Sequence, residues 1–338
     1  MNRRPDLSAV LVTWDAADHV ARCLAALRGS AGRAGADLEV VVVDNASGDD
    51  TLATVGASAD VVVANPVNAG FAVACCQGIA RATAPWVLLL NPDVTVHPDF
   101  VERVRAALDE ALADVAVLVP ELRLASDAET VNCRGLLVDE LGIPAEIGSG
   151  QPAASSDPRE ARWLFGGSGG CCVIRVDALL AAGALEPAYF AYLEDVDLAW
   201  RLQRRGFHAR PVAAATAAHV VSVGAPEGSA LKTYLVARNR RLLFRVHGPH
   251  GVRVRVQRAI TEVGHAAVQT VLTRRPEALT GRMGALRLRR YARFLVASDR
   301  ALATGREPVP LAPRVGLRTA LRRKRALVGA VAGRTAPR

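Results

Sequence analysis

The 338-residue sequence lacks any long uncharged apolar run. A bilayer-crossing helix needs about 20 such residues, so no segment reads as a membrane span. The start, Met1 to Asp6, lacks the basic, apolar and small-residue zones of a signal peptide, and a cytoplasmic protein is expected. No G-x-G-x-x-G follows the first apolar run, and no Walker phosphate loop is present. Both motifs cradle phosphates on backbone amides at a helix N-terminus, so a dinucleotide dehydrogenase and a P-loop NTPase are disfavoured. The six cysteines (23, 75, 76, 133, 171 and 172) form no C-x-x-C pair. Two of the pairs are adjacent in sequence, which suits neither a disulfide framework nor a zinc site, and small buried hydrophobes are expected instead. Aromatic residues are few and no nucleic-acid motif appears, so a nucleic-acid partner is not expected despite the net charge of +9.

The charge is divided along the chain. Residues 1–230 carry 17 Lys+Arg against 29 Asp+Glu, whereas residues 231–338 carry 25 against 4. An acidic body thus precedes a basic end, and the only lysines are Lys232 and Lys324. Half of all residues are apolar, enough for a full core.

Leu7 to Thr13, Leu38 to Val43, Asp60 to Ala64, Trp86 to Leu90 and Val115 to Val119 are short apolar runs rich in β-branched residues. Helical spacing separates them at Asp18 to Leu27, Ala72 to Ala82 and 99–112. Strands alternating with helices predict βαβ units around a mostly parallel sheet, and unbroken apolar runs fit strands buried on both faces. From Ala125 to Arg159 the composition turns to Gly, Pro, Ser and Asp, which predicts turns and a loop.

Polar residues close three of these strands. They are Thr13–Trp14–Asp15, Asp44–Asn45 and Asn91–Pro92–Asp93. Ligands of open α/β sheets bind beyond the carboxyl ends of the strands, so three such clusters predict one site. Each alone could be a cap or a turn. Acidic strand ends without a glycine-rich phosphate loop point to phosphates held through Mg²⁺ or Mn²⁺.

Taken in order, Leu11 to Asp15, Val41 to Ser47, Asn68–Ala69–Gly70–Phe71–Ala72, Leu88 to Asp93, Gly166 to Gly170, Glu194 to Arg201 and His219 resemble glycosyltransferase family 2. The N-x-G-F-A and L-N-P-D forms are most similar to its rhamnosyltransferase-like branch. The resemblance covers about residues 7–224 and implies a GT-A fold. It implies a catalytic domain over 1–225, with a nucleotide-sugar half to about 120 and an acceptor half beyond. Residues 226–338 would be a basic helical extension. It further implies a dTDP-, UDP- or GDP-linked sugar donor, with Thr13, Asp15, Asp44, Asn45, Asn68, Gly70, Asn91 and Asp93 near it. Asp15 and Asp44 would contact base or ribose, Asp93 would supply the metal carboxylate, and His219 would be a further metal or phosphate ligand. Gly167, Gly169 and Asp197 would border the acceptor. Two departures stand out. Asn91 occupies a position where a second aspartate is usual, and Trp14–Asp15 replaces the usual Tyr-Asn.

The expected reaction is displacement at an anomeric carbon. The acceptor hydroxyl must lose a proton, and one carboxylate opposite the leaving group gives inversion. Asp195 is expected as that base and Glu194 as its neighbour at the acceptor, while Asp197 reads as the helix cap. A glycan or lipid-linked glycan is the expected acceptor. Two other readings stay open: a non-catalytic nucleotide-sugar scaffold, and a nucleotidyltransferase, although Trp14–Asp15–Ala16–Ala17 offers no glycine- and lysine-bearing loop.

In the basic end, Val256, Ile260, Val263, Ala267 and Val271 follow helical spacing, as do Leu288, Tyr291, Leu295 and Leu302. Basic amphipathic helices predict contact with an anionic membrane, here its inner face. Packing on the catalytic domain and an oligomer contact are the competing expectations. The stretch Arg314 to Arg338 is expected to be partly disordered.

Overall fold

The computed structural model describes residues 5–155, 164–221, 229–248, 251–273, 276–302 and 309–313. The stretch from Arg314 onward, and with it that last expectation, lies outside the described residues.

The first part alternates as predicted: β1 (Leu7–Thr13), α1 (Ala17–Arg33), β2 (Leu38–Asp44), α2 (Thr51–Val55), β3 (Val61–Ala64), α3 (Phe71–Ile79) and β4 (Trp86–Leu90). There follow β5 (Val94–Val96), α4 (Phe100–Asp109), β6 (Val115–Leu124), β7 (Asp127–Cys133), β8 (Leu136–Val138) and β9 (Pro144–Glu146). Next come β10 (Cys171–Arg175), α5 (Val176–Ala181), α6 (Glu194–Arg204) and β11 (His208–His219). Helices α7 (Ala230–Val246), α8 (Val252–Thr273), α9 (Glu277–Gly284) and α10 (Arg289–Leu302) follow.

The main sheet runs β3-β2-β1-β4-β10-β6-β11-β5, with β7 added on β6. Its first four strands are parallel. Beyond them the sheet is mixed: β10 is antiparallel to both β4 and β6, and β11 is parallel to β6 but antiparallel to β5. The unbroken apolar runs are explained by burial on two faces. Leu7, Ala9, Leu11, Leu88 and Leu90 join one core with α1 and α4. The alternate residues Val10, Val12, Val87 and Leu89 join the other with α3, α5 and α6.

The predicted loop at 125–159 is corrected in part, since β7, β8 and β9 lie within it. Asp127, Glu129 and Asn132 are depleted in strands, but β7 is held by pairing with β6. Five cysteines are buried and Cys76 is half-buried, all of them free thiols.

A third core joins α6 and β8 to the C-terminal helices, through Phe165, Tyr189, Val196, Trp200, Leu242, Leu243, Val246 and Ala292. Helix α7 therefore packs on α6 and β8. Helix α9 crosses α7 so closely that a Cβ at Gly281 would lie 2.3 Å from the Tyr234 carbonyl oxygen. Glu262 of α8 sits between Arg240 and Arg282, which ties the three helices with a paired charge. The opposite face of α8 is uncovered: Val252, Val256, Ile260 and Val263 are all exposed. Among the described residues no helix is long and apolar enough to cross a membrane.

The polar centre of this third core is Asp197. It is buried, and its carboxylate meets Arg201 at 2.7 Å, His247 Nε2 at 2.7 Å and the Tyr189 hydroxyl at 3.2 Å. Arg204 donates to His247 Nδ1, so that nitrogen carries the lone pair and Nε2–H donates to Asp197. Burial alone would raise the Asp197 pKa; the Arg201 guanidinium and the His247 bond outweigh it and bring the group to about 2. The expectation that Asp197 caps α6 is therefore corrected. The cap position is Leu193, and no side chain caps there. Nor does Asp197 border an acceptor loop; it points into the contact with α7.

A depressed carboxylate pKa stabilises the fold above the ordinary value and loses that contribution as pH falls through the folded one. Asp197 should thus contribute on the order of 2 kcal/mol at neutral pH, lost between about pH 4 and pH 2. Urea titrations of wild type and Asp197→Asn should differ most above pH 4 and converge toward pH 2; a constant difference across that range would refute the linkage.

Candidate active site

The strand ends converge as the sequence predicts. At the end of β1, Thr13 Oγ1 donates to Asp44 Oδ1 at 2.9 Å, and Asp44 also accepts from Ser47 N and Oγ. Asp44 is buried and ties the ends of β1 and β2 together. Asp15 has φ of 46° and is exposed beside Trp14, with its amide on Ser47 and its carboxylate on Gly48 N. Asn45 is buried and accepts from Ala69 N and Asn65, while its own amide donates to Asn68 at 2.9 Å. Asn68 in turn accepts from Gly70 N. Asn45 and Asn68 therefore shape the turn ahead of α3. Gly70 has φ of 89°, and a Cβ there would lie 2.5 Å from the Phe190 ring, so this position needs glycine.

Asp93 follows β4 and is buried. The pairing of β5 with β11 sets His219 opposite Val94, and Val220 N donates to the Asp93 carbonyl. The result is His219 Nε2 at 3.3 Å from Asp93 Oδ1. On its other side, His219 Nδ1 lies 2.8 Å from Asn132 Oδ1. An amide oxygen only accepts, so in the neutral ring Nδ1 carries the proton and Nε2 presents a lone pair to Asp93. Asp93 Oδ1 is a buried atom without a hydrogen-bond partner. Two acceptors thus face each other across a short gap. A divalent cation fits that donor set, with diphosphate oxygens and water completing its shell. Among the described residues no cluster of three or more His, Cys, Asp or Glu could hold a metal without such help. When the ring also carries a proton on Nε2, that N–H donates to Asp93 instead; burial raises the Asp93 pKa, and this contact more than offsets it, holding the carboxyl below its ordinary range.

The segment 166–170 joins this cluster to the acidic start of α6. Asn91 N donates to Gly170 O at 2.9 Å, and Gly169 N donates to Asp195 Oδ2 at 3.0 Å. A side chain at Gly169 would press on Phe71 and on Glu194 Oε1. Gly167 is buried, and a Cβ there would lie 2.6 Å from the Cys172 Cβ. Asp195 is half-buried, and its second oxygen accepts from Val196 N at 2.8 Å. Glu194 is buried, and its Oε2 has no hydrogen-bond partner.

The two carboxyls differ accordingly. Burial, then the adjacent Asp195 charge, push the Glu194 pKa well up. Burial also raises Asp195, against the opposing pull of the Gly169 and Val196 amides. Both carboxyls are thus raised by burial, and Asp195 is the one whose ionised form is stabilised by backbone amides.

Three residues escape the sequence reading: Asn132, which orients His219, and Phe190 and Asn239, which hold the segment before α6. Asn132 stands in a stretch read as loop, and the other two act through contacts far along the chain that no local pattern marks.

The chain is similar to several known proteins. The curated succinoglycan biosynthesis protein ExoO of Rhizobium meliloti is 32% identical over 160 residues, 44% of each chain. This chain thus spans less than half the length of that relative. An N-acetylglucosaminyl-diphospho-decaprenol L-rhamnosyltransferase of Mycobacterium tuberculosis is 28% identical over 228 residues, covering 60% of this chain and 71% of the relative. Two solved structures share the fold. GalNAc-T7 with UDP, GalNAc and Mn²⁺ superposes with a TM-score of 0.55 at 14% identity, over 73% of this chain and 48% of that one. The mannosyltransferase PcManGT of Pyrobaculum calidifontis, in complex with GDP-Man and Mn²⁺, gives 0.53 at 17% identity, over 97% and 86%. The fold is thus GT-A. The profile of Glycosyl transferase family 2 matches residues 8–181, just over half of the sequence, and the chain belongs to that family.

Proposed function

We propose that this chain is an inverting glycosyltransferase that moves a sugar, a deoxyhexose such as rhamnose, from a nucleoside diphosphate to a glycan or lipid-linked glycan. The observation that carries the proposal is the split pair at the start of α6. Glu194 is buried and unpartnered, while Asp195 is half-buried and charge-stabilised by two amides. The choice of sugar leans on the rhamnosyltransferase named above, and no finer donor assignment is made.

In the proposed reaction Asp195 takes the proton of the acceptor hydroxyl. The acceptor oxygen forms a bond to the anomeric carbon, and the bond from that carbon to the diphosphate oxygen breaks. The electron pair leaves with the nucleoside diphosphate, and attack opposite the leaving group inverts the centre. Asp93 and His219 would hold the divalent cation, which when bound supplies Lewis-acid stabilisation of the diphosphate. The Asn45–Asn68 turn and exposed Trp14 border the nucleotide, and the 166–170 segment separates the metal position from the base.

Basic side chains next to the uncovered face of α8 extend the proposal to place. Val252, Val256, Ile260 and Val263 form one apolar stripe, with Arg253 and Arg255 beside it on the helical wheel. Such a face matches an anionic lipid surface, with about 1 kcal/mol per basic residue near it. An enzyme with a lipid-linked acceptor would work there.

Four outcomes are expected. Asp195→Asn should lower turnover by about 10²-fold or more while the thermal shift given by the preferred nucleotide with Mn²⁺ persists; wild-type turnover would remove Asp195 as base. Because the Asp195 pKa is raised, the acid limb of the wild-type rate profile should lie above the ordinary carboxylate range. A screen of UDP-, dTDP- and GDP-sugars should show turnover lost in EDTA and restored by Mn²⁺ or Mg²⁺, and weakened metal dependence in His219→Ala; full activity in chelator would exclude the Asp93–His219 role. In flotation with full-length protein, anionic vesicles should carry wild type and release it on Val256→Asp/Ile260→Asp; equal recovery of both would refute the α8 contact.

A further inference from the structure

The segment between β10 and the carboxylate pair is held in a costly conformation. After a short 3₁₀ turn at Pro187–Tyr189, Phe190, Tyr192 and Leu193 have φ of 64°, 70° and 69°. Each such non-glycine residue costs about 1–2 kcal/mol, and the strain persists only where surroundings enforce it. Leu193 is directly followed by Glu194 and Asp195, so any relaxation here moves both carboxylates.

The enforcement comes from α7. Asn239 is fully buried, and its Nδ2 lies 2.8 Å from the carbonyls of Tyr189 and Ala191 and 2.7 Å from that of Tyr192. One amide group with two hydrogens thus faces three carbonyls of the strained segment, with one hydrogen shared. The amide cannot turn over, because Arg238 Nε donates to Asn239 Oδ1 at 2.9 Å. The same guanidinium donates to the carbonyls of Ala188 at 2.9 Å and Tyr189 at 2.7 Å. On the opposite side, Ala72 N donates to Phe190 O at 3.0 Å, and Gly70 lies against the Phe190 ring. The segment is therefore clamped between the turn beside the nucleotide and a helix far along the chain.

From this geometry we infer that Asn239, oriented by Arg238, is a positioning residue for the Glu194–Asp195 pair, which makes α7 part of the catalytic apparatus. The role of Asp195 as base comes from the function proposed above; the clamp itself stands on the contacts of Asn239. A misplacement of about 1 Å at a reacting group can cost about 10²-fold in rate, and the loss falls on turnover when ground-state binding is untouched.

Two variants separate positioning from plain stability. Asn239→Asp keeps the shape but sets acceptors against three carbonyl oxygens. Arg238→Met leaves Asn239 in place and frees its amide to rotate. Hydrogen exchange, donor KM and kcat across pH would be measured on full-length protein. Asn239→Asp should speed exchange across 187–197 by about tenfold or more, with β1, β2 and β4 unchanged. Its kcat should fall about 100-fold with donor KM within about twofold, and the acid limb of the kcat profile should move as the carboxylates shift. Arg238→Met should show the same pattern to a smaller degree. Faster exchange with wild-type kcat and an unmoved pH profile would overturn the inference, as would unchanged exchange at 187–197. Should Asn239→Asp fail to fold, Arg238→Met decides: altered exchange and kcat support the clamp, and wild-type values refute it. If wild type transfers no sugar from any donor, the transferase reading fails, while exchange at 187–197 still shows whether Asn239 holds the pair.

Discussion

The antiparallel pairing of β10 with β4 is the constraint on which the site depends. Cys171 pairs with Leu90, so β10 starts where β4 ends. The segment before β10 must therefore lie across the carboxyl edge of the parallel strands. That places Gly170 on Asn91 and Gly169 on Asp195, and one short stretch of backbone touches both the strand-end cluster and the acidic helix start. Had the sheet continued in parallel beyond β4, that segment would have entered from the opposite edge. The small residues at 166–170 follow from this crossing, since side chains at Gly166 or Gly167 would strike Ala199 or Cys172.

Three acids stand within one helical turn, and burial with specific partners gives each a different state. Asp197 is ionised because Arg201 meets its carboxylate and His247 donates to it. Glu194 has burial without a partner, which pushes its pKa well up. Asp195 lies between, with two backbone amides and partial access to solvent. The arrangement relies on α7, which supplies His247 to one end of this turn and Asn239 to the segment before it. The helical end of the chain is thus structural and electrostatic support as well as a surface.

Much of the parallel half is legible in the sequence because its strands are buried on both faces. Such burial forces the unbroken runs at Leu7 to Thr13, Leu38 to Val43 and Trp86 to Leu90. The polar strand ends are legible for the same reason, since they interrupt those runs at one edge. The acceptor half is harder to read. Strand β7 carries Asp, Glu and Asn and survives only through its pairing with β6, while β5 is too short to set a period. Asp197 looks like a cap because Asp favours that place, and only the fold reveals that His247 at the end of α7, 50 residues onward, claims its carboxylate. The pairing of Asn132 with His219 is equally hidden, as the two are 87 residues apart.

The free cysteines have a consequence of their own. Burial pushes up the pKa of every one of these thiols, to about 12 for Cys171. The thiolate is the reactive form, so the folded chain is a poor target for alkylating and oxidising agents. Cys171 and Cys172 lie on the strand that aims the glycine segment, and Cys75 and Cys76 on the helix behind the Asn68 turn. Adduct formation at the three buried sulfurs, Cys75, Cys171 and Cys172, would require β10 to leave the sheet or α3 to lift away from it. Thiol labelling therefore serves as an internal gauge of whether the floor beneath the site is assembled, in a protein that needs no covalent staple to keep it so.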